Sequence, residues 1–173
     1  MAAAFVIRPL RAAELERYKA LRDRTLADFP EAFTSDAASE RRKAAASYMQ
    51  RLAADPPDAA HFTLAAWDGD LLLGATSCTR EPRPKARHIA SVSGMMVRRD
   101  QTGHGIGQAL LEATIARARG ASGIEMLTLS VTAGNTAAVR LYQRAGFVRY
   151  GSLPRAIQVD GRYHTKDLMV LVF

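Results

Sequence analysis

The chain has 173 residues, a formal net charge of +7 and 48% hydrophobic residues. This length predicts one domain, residues 1–173, that is large enough to bury a core. No apolar run is long enough to suggest a membrane span, and the first residues lack the layout of a signal peptide. A single cysteine, Cys78, excludes an internal disulfide. We therefore expect a cytoplasmic protein with no membrane partner.

The positive charge is dispersed along the chain. Arginines occur singly or in pairs, as in "ERR" and "IARAR". No aromatic residues alternate with them in the way that stacks bases. This pattern predicts no nucleic-acid partner and is compatible with a small polyanionic ligand. The four histidines fall on separate predicted elements, so we expect no metal site.

Hydrophobic periodicity and turn residues predict eleven elements. Strands are expected at 4–10, 61–67, 71–80, 88–97, 124–131, 147–158 and 161–173. Helices are expected at 11–29, 35–54 and 135–145, and a glycine loop with the helix that follows it at about 102–119. The second helix is expected to begin at Ser35 or Asp36 and to end before Pro56-Pro57. The order β-α-α-β-β-β-α-β-α-β-β predicts an α/β (α+β) fold with a mixed, largely antiparallel central sheet flanked by helices.

Three alternating glycines, Gly103, Gly105 and Gly107, stand at the start of the third predicted helix. Glycine admits a ligand close to the backbone, and the free amides and dipole of a helix N-terminus attract anions. A flexible loop without function is the alternative, but glycines at this spacing cost helix stability. The stretch therefore predicts an anion site. On the same helix, an apolar face is expected at Ile106, Ala109, Leu110, Ala113 and Ala116.

Two common phosphate-binding motifs do not fit this loop. A dinucleotide fingerprint needs a third glycine at position 108 or 110, where the chain has Gln108 and Leu110. A P-loop needs Gly-Lys-Ser/Thr at its end, and the sequence has no such triplet there. The anion is therefore not expected to belong to a dinucleotide or to a nucleotide held by a P-loop.

Two stretches together resemble motifs of the GNAT superfamily of N-acetyltransferases. "VRRDQTGHGIGQALL" is similar to its acetyl-CoA motif, V-x-P-x-x-R/Q-G-x-G-x-G/A, and "NTAAVRLYQRAGF" to its next motif, N-x-x-A-x-x-L-Y-x-x-x-G-F. Thr102 stands where the family usually has Arg or Gln, and Arg99 replaces its common Pro. Thr165 stands where an Asp often follows Tyr-His.

The resemblance implies an acetyltransferase that uses acetyl-CoA as co-substrate. It would transfer the acetyl group to a primary amine of a small molecule or peptide by direct attack in a ternary complex. By resemblance, the pantetheine arm lies beside the strand at 88–97, where Gly94 suggests a bulge, and the pyrophosphate lies on the glycine loop. The implied cofactor-binding residues are Met95, Met96, Val97, Thr102, Gly103, His104, Gly105, Ile106, Gly107, Asn135, Ala138 and Tyr142.

Tyr142 is the residue expected to be catalytic. By resemblance it lies at the sulfur and protonates the departing thiolate, for which a phenol is a reasonable acid. The alternative is packing, because Tyr142 shares an apolar helix face with Ala138, Leu141 and Ala145. Asn135 has two interpretations as well, since it suits a helix N-cap as much as a pantetheine contact.

The sequence does not select a general base. Ser130 stands where members that acetylate protein N-termini carry Glu, which speaks against that subclass. Glu81, Glu125 and His164 remain candidates. The segment "DFPEAFTSDAASE" is expected to line the acceptor cleft. A non-catalytic acyl-CoA-binding module is the alternative function, and a homodimer is one assembly that the resemblance allows.

Overall fold

A computed structural model describes residues 5–53 and 60–173. The expected Pro56-Pro57 boundary and residue 4 of the first strand lie outside these ranges. The strands are β1 Val6–Pro9, β2 His61–Asp68, β3 Leu71–Arg80, β4 Ile89–Val97, β5 Met126–Thr132, β6 Val148–Val159 and β7 Arg162–Val172. The helices are α1 Leu15–Asp28, α2 Ala37–Arg41, α3 Ile106–Arg119 and α4 Thr136–Arg144. Their order confirms the predicted succession of elements.

The seven strands form one mixed sheet in the order β1-β2-β3-β4-β5-β7-β6. Only the central pair, β4 with β5, is parallel, and every other pair is antiparallel. Neighbouring residues of a strand point to opposite faces. Leu73 therefore packs with α3 on one face, and Leu72 packs with α1 on the other. Both faces are covered, which explains the long apolar runs of β2 and β3.

The expected helix at 35–54 is wrong in its extent. Asp36 is its N-cap and accepts a hydrogen bond from the Ser39 amide at 2.8 Å, but α2 ends at Arg41 and a 3-10 segment follows at Ala45–Arg51. In a continuous α-helix, residues 40 and 48 would lie about 12 Å apart along the axis. The break instead lets the Tyr48 hydroxyl donate to Glu40 at 2.6 Å. A buried tertiary contact thus overrides the local helical pattern.

The buried face of α3 also differs from the prediction. Ala116 is exposed, whereas Leu111, Thr114 and Ala118 are buried with Ile106 and Leu110. A leucine buries much more apolar area than an alanine, so Leu110 and Leu111 decide how the helix rotates against the sheet. Apolar periodicity alone does not distinguish alanine from leucine, so it does not show this rotation of the helix.

Candidate active site

The sheet splits between its two parallel strands. Strand β4 pairs with β5 only at Ile89–Ser91, opposite Met126–Thr128. Beyond this point β5 continues to pair with β7 as far as Thr132. The β5-facing edge of β4 at 92–97 is therefore left without a strand partner, and a gap opens toward the carboxyl ends of both strands.

A β-bulge at Gly94 lies on the rim of this gap. Ser93 pairs with Ser77 and Met96 with Ala75, so Gly94 and Met95 together oppose a single residue of β3. Gly94 has φ +61°, a left-handed conformation that favours glycine. Bulges bend a strand and increase its twist, which accounts for the divergence of β4 from β5. The bulge expected from Gly94 is present.

The gap continues into a cleft of about 270 Å³. Its walls come from β4, β5 and α4 on one side and from α1, the segment at 32–35 and β7 on the other. The lining residues are Arg22, Ala32, Phe33, Thr34, Ser35, Arg51, Val92, Ser93, Gly94, Met95, Ser130, Val131, Asn135, Ala138, Leu141, Tyr142 and Lys166. The segment expected to line an acceptor cleft therefore does border this cleft.

The glycine loop reaches the same end of the sheet. Gly103 and Gly105 are left-handed, with φ +86° and +81°, and a Cβ at either would meet no atom within 4 Å. Gly105 is the N-cap of α3, whose first amides have no partner inside the helix. At Gly107, a Cβ would lie 3.7 Å from both Val97 Cγ2 and Leu141 Cδ2. The start of α3 thus touches the end of β4 and the α4 helix that lines the cleft.

Most of the expected cofactor-binding residues surround this junction. Met95, Asn135, Ala138 and Tyr142 line the cleft directly. The Met96 side chain is buried in the core, so only its backbone is available to a ligand. In the loop, residues 102–105 are exposed, whereas Ile106 is buried.

Asn135 caps α4. Its side-chain oxygen accepts a hydrogen bond from the Ala138 amide at 3.2 Å. The capping interpretation of Asn135 is therefore correct, and its position on the cleft wall is compatible with the second role as well.

Tyr142 is 7% exposed and lines the cleft from α4. Its ring packs edge-to-face on Phe147, with centroids 6.0 Å apart. Burial raises the pKa of Tyr142 to about 12, because the phenolate loses hydration. The phenol therefore keeps its proton at neutral pH, and it is a weaker acid than free tyrosine.

None of the three candidate bases lines the cleft. Glu81 is bound to Arg83 at 2.8 Å, at the far end of β3. Glu125 is exposed and precedes β5, at the closed end of the split. His164 Nε2 lies 3.9 Å from Glu31 Oε1, outside the cleft lining.

Sequence analysis missed three basic residues of the cleft, Arg22, Arg51 and Lys166. They come from α1, the 3-10 segment and β7, far apart in the chain, so no local motif signals them. Lys166 Nζ donates to Thr34 Oγ1 at 2.8 Å, and Thr132 Oγ1 donates to the Glu31 carbonyl at 2.6 Å. These bonds fix the segment at 32–35 against β5 and β7.

Within 5–53 and 60–173, no three His, Cys, Asp or Glu side chains lie close enough to hold a metal ion. No helix in the same part of the chain has the length and apolar character needed to cross a bilayer.

Several solved structures have the same fold as this chain. An acetyltransferase of the GNAT family from Streptococcus pneumoniae superimposes with a TM-score of 0.83 at 24% identity, over 98% of this chain and all of that one. The yncA protein of Salmonella typhimurium, solved with its cofactor acetyl-CoA, gives 0.79 at 20% identity, over 98% of this chain and 94% of its own. The fold is thus the one seen in acetyltransferases, as expected.

The sequence matches the model of the acetyltransferase (GNAT) family over residues 18–147. The chain belongs to this family, which confirms the identification made from its two motifs. Both motifs lie within the matched region.

Curated relatives match over shorter stretches. The L-methionine sulfoximine/L-methionine sulfone acetyltransferase of Pseudomonas aeruginosa is 42% identical over 75 residues, 43% of each chain. The mycothiol acetyltransferase of Salinispora tropica is 38% identical over 95 residues, 55% of this chain and 31% of its own. The match therefore spans less than half the length of either relative.

Proposed function

We propose that this protein is an N-acetyltransferase that transfers the acetyl group of acetyl-CoA to a primary amine of a small molecule or peptide, by direct attack in a ternary complex. The observation that carries the proposal is the split between β4 and β5, which opens into a cleft bordered by Tyr142 and lies beside the glycine-led start of α3. Family membership and relatives named as acetyltransferases support it.

The residues around the split suit coenzyme A. The β5-facing edge of β4 beyond Ser91 can hydrogen-bond an extended pantetheine arm as an added strand would. The open space over Gly103 and Gly105, with the amides that begin α3, suits a pyrophosphate. Thr102 adds no positive charge there, so backbone amides and the helix dipole would supply most of the attraction.

The chain's own contribution to the chemistry would come from β4 and Tyr142. The amine nitrogen forms a bond to the thioester carbonyl carbon, the carbon–sulfur bond breaks, and the sulfur leaves with the electron pair. A backbone amide near Met96 or Val97 would stabilise negative charge on the carbonyl oxygen. The protonated phenol of Tyr142 would donate to the departing sulfur, the amine's surplus proton would leave to water, and water would return a proton to the phenolate.

Calorimetric titration with acetyl-CoA, with NAD and ATP as controls, tests the cofactor assignment. We expect binding of acetyl-CoA alone, and at least a tenfold loss of affinity in Gly105→Glu, which places a carboxylate in the anion site. Gly161→Glu is the matched control, because Gly161 is also left-handed (φ +77°) with open space around it, but lies in the β6–β7 turn. Equal affinities in the two variants would refute the placement of the pyrophosphate.

An amine panel, read out as release of the coenzyme A thiol, tests the reaction. Binding of acetyl-CoA without thiol release from any amine would instead favour the non-catalytic acyl-CoA-binding module. The cytoplasmic location and the homodimer stay predictions. Exposed apolar residues on the β6–β7 hairpin support the dimer, among them Val148, Tyr150, Leu153 and Tyr163.

A further inference from the structure

The described residues at the acceptor end of the cleft carry positive charge without matching negative charge. Three cationic side chains line the cleft, those of Arg22, Arg51 and Lys166. Among the residues that the structure describes, no aspartate or glutamate belongs to the lining. A cleft of this composition attracts an anionic group and repels a ligand that carries only an ammonium group.

Arg22 is already neutralised. Its Nε donates to Glu40 Oε2 at 2.8 Å, and Nη2 donates to Ser35 Oγ at 2.9 Å. Burial tends to raise the pKa of Glu40, but hydrogen bonds from Lys43, Tyr48 and Arg22 outweigh it and lower the pKa to about 2. Glu40 is therefore ionised at neutral pH and cancels the charge of Arg22. The surplus charge of the cleft belongs to Arg51 and Lys166.

Arg51 lies against the bulge of β4. Its Nη1 atom is 3.3 Å from the position that a Cβ on Gly94 would take. The guanidinium lies near the ring of Tyr48, with 6.0 Å between Cζ and the ring centroid. Within the described ranges, no carboxylate comes within 4.0 Å of it. Among the described residues, Arg51 thus has no carboxylate partner, and its guanidinium lies at the point where the split opens.

Lys166 is the second cation of the cleft that has no carboxylate partner among the described residues. It is 9% exposed, and the only hydrogen bond recorded for its ammonium in the described part of the chain goes to Thr34 Oγ1 at 2.8 Å. Burial lowers the pKa of Lys166. An ammonium has three donors, so donors remain for a ligand in the cleft. An anion nearby would offset the cost of burying this charge.

A buried hydroxyl lies next to the same point of β4. Tyr18 is fully buried, and its hydroxyl has no hydrogen-bond partner among the described residues. That oxygen is 3.9 Å from the Cβ position of Gly94, the same position from which Arg51 Nη1 is 3.3 Å away. A buried polar atom without a partner is costly and rare in folded proteins. A ligand atom that accepts hydrogen bonds at this point would give the Tyr18 hydroxyl a partner.

From this arrangement we propose that the acceptor is a small α-amino acid, whose carboxylate is bound by Arg51, with Lys166 and the Tyr18 hydroxyl as further donors. The inference rests on the proposed function, because it takes the reacting amine to lie beside the bulge at Gly94. Because the Arg51 guanidinium would lie beside the reacting amine, it favours a substrate whose carboxylate is only one carbon away from the amine.

The same cations would assist the attacking amine. Nearby positive charge disfavours an ammonium and so favours the neutral, nucleophilic form of the amine. An amine substrate without a negative group would bind more weakly, because the cations of the cleft repel its ammonium form. A carboxylate on the substrate compensates for this repulsion. The cleft therefore discriminates against amines that lack the carboxylate.

The test compares α-amino acids with their decarboxylated counterparts. L-methionine sulfone is paired with 3-(methylsulfonyl)propylamine, L-phenylalanine with phenethylamine, and L-lysine with cadaverine, and thiol release is followed for each. We expect kcat/KM for at least one amino acid to exceed that of its amine by about 30-fold or more, the range of a charge-assisted hydrogen bond.

Variants show whether Arg51 causes the preference. Arg51→Met is expected to raise KM for the amino acid about tenfold or more with a smaller change in kcat, and to leave its paired amine unchanged or improved. Arg51→Lys should restore part of the loss. Arg42→Met, at an exposed arginine just after α2, is the matched control and should behave as wild type.

The outcomes distinguish failure of the α-amino acid inference from failure of the proposed function. Lack of acetyl-CoA binding by the wild type would refute the proposed function itself. If acetyl-CoA binds but the amines react as well as the amino acids, the inference is overturned while the proposed function stands. Binding of acetyl-CoA without turnover of any amino acid, or an unchanged preference in a folded Arg51→Met variant, also overturns it.

Discussion

Replacing Tyr142 by phenylalanine removes only the hydroxyl that would protonate the departing sulfur. The packing on Phe147 is kept, so the variant should fold with little change in stability. The pKa of Tyr142 is raised to about 12 by burial, whereas a thiol has a pKa of about 8.5. Full proton transfer to the free thiolate would therefore be uphill by about 3.5 pKa units, or about 5 kcal/mol.

The difference between the pKa of Tyr142 and that of the thiol determines how much kcat is expected to fall. General acids contribute about 10²- to 10⁴-fold, and an acid this weak should lie near the lower limit. A hydrogen bond to a charged group is worth about 1.5–3 kcal/mol, which is about 10- to 150-fold in rate. We therefore expect kcat in Tyr142→Phe to fall by about 100-fold, with the affinity for acetyl-CoA changed by less than threefold.

The assay is thiol release with the best acceptor of the amine panel, from pH 6 to pH 10.5. Because the phenol keeps its proton over this range, Tyr142 should contribute no loss of rate at its alkaline end. Tyr150→Phe, at an exposed tyrosine of β6, is the control and should match wild type. An unchanged kcat in Tyr142→Phe would refute the role of the acid. An alkaline decline near pH 9.5 that disappears in this variant would refute the raised pKa.

Two further changes test the framework around the cleft. In Gly74→Ala, the new Cβ would lie 2.7 Å from the Met96 carbonyl oxygen, so β4 must shift. We expect the unfolding free energy to fall by about 1–3 kcal/mol, measured by urea unfolding, and acetyl-CoA to bind more weakly, measured by calorimetry. Gly151→Ala is the control in both measurements. In Glu40→Gln, a carboxylate whose pKa is lowered from 4.5 to about 2 is lost. A lowered native pKa stabilises the fold above the unfolded-state value, so the variant should be about 3 kcal/mol less stable at pH 7. The difference should shrink as the pH falls from about 5 toward 2, and a constant difference would contradict the assignment.

The sequence by itself determined the local chemistry of this protein. Alternating apolar residues and turn signals predicted the strands, and the two motifs identified the family. Gly94 predicted the bulge correctly, because only glycine readily adopts its left-handed backbone conformation. Gly105 likewise marked the beginning of a helix. These features depend on residues that are neighbours in the chain, so they can be recognised without the fold.

Only the tertiary structure decided which distant side chains meet. Glu40 joins Arg22 and Tyr48, and this contact ends α2 where local propensity favours a longer helix. The pKa of Tyr142 follows from burial between packed elements, which its own helix does not determine. Arg51 and Lys166, separated by more than a hundred residues, meet in one cleft and give it its positive charge. Long-range contacts of this kind leave no periodic signal in the sequence, because each residue appears locally as a solvated charge.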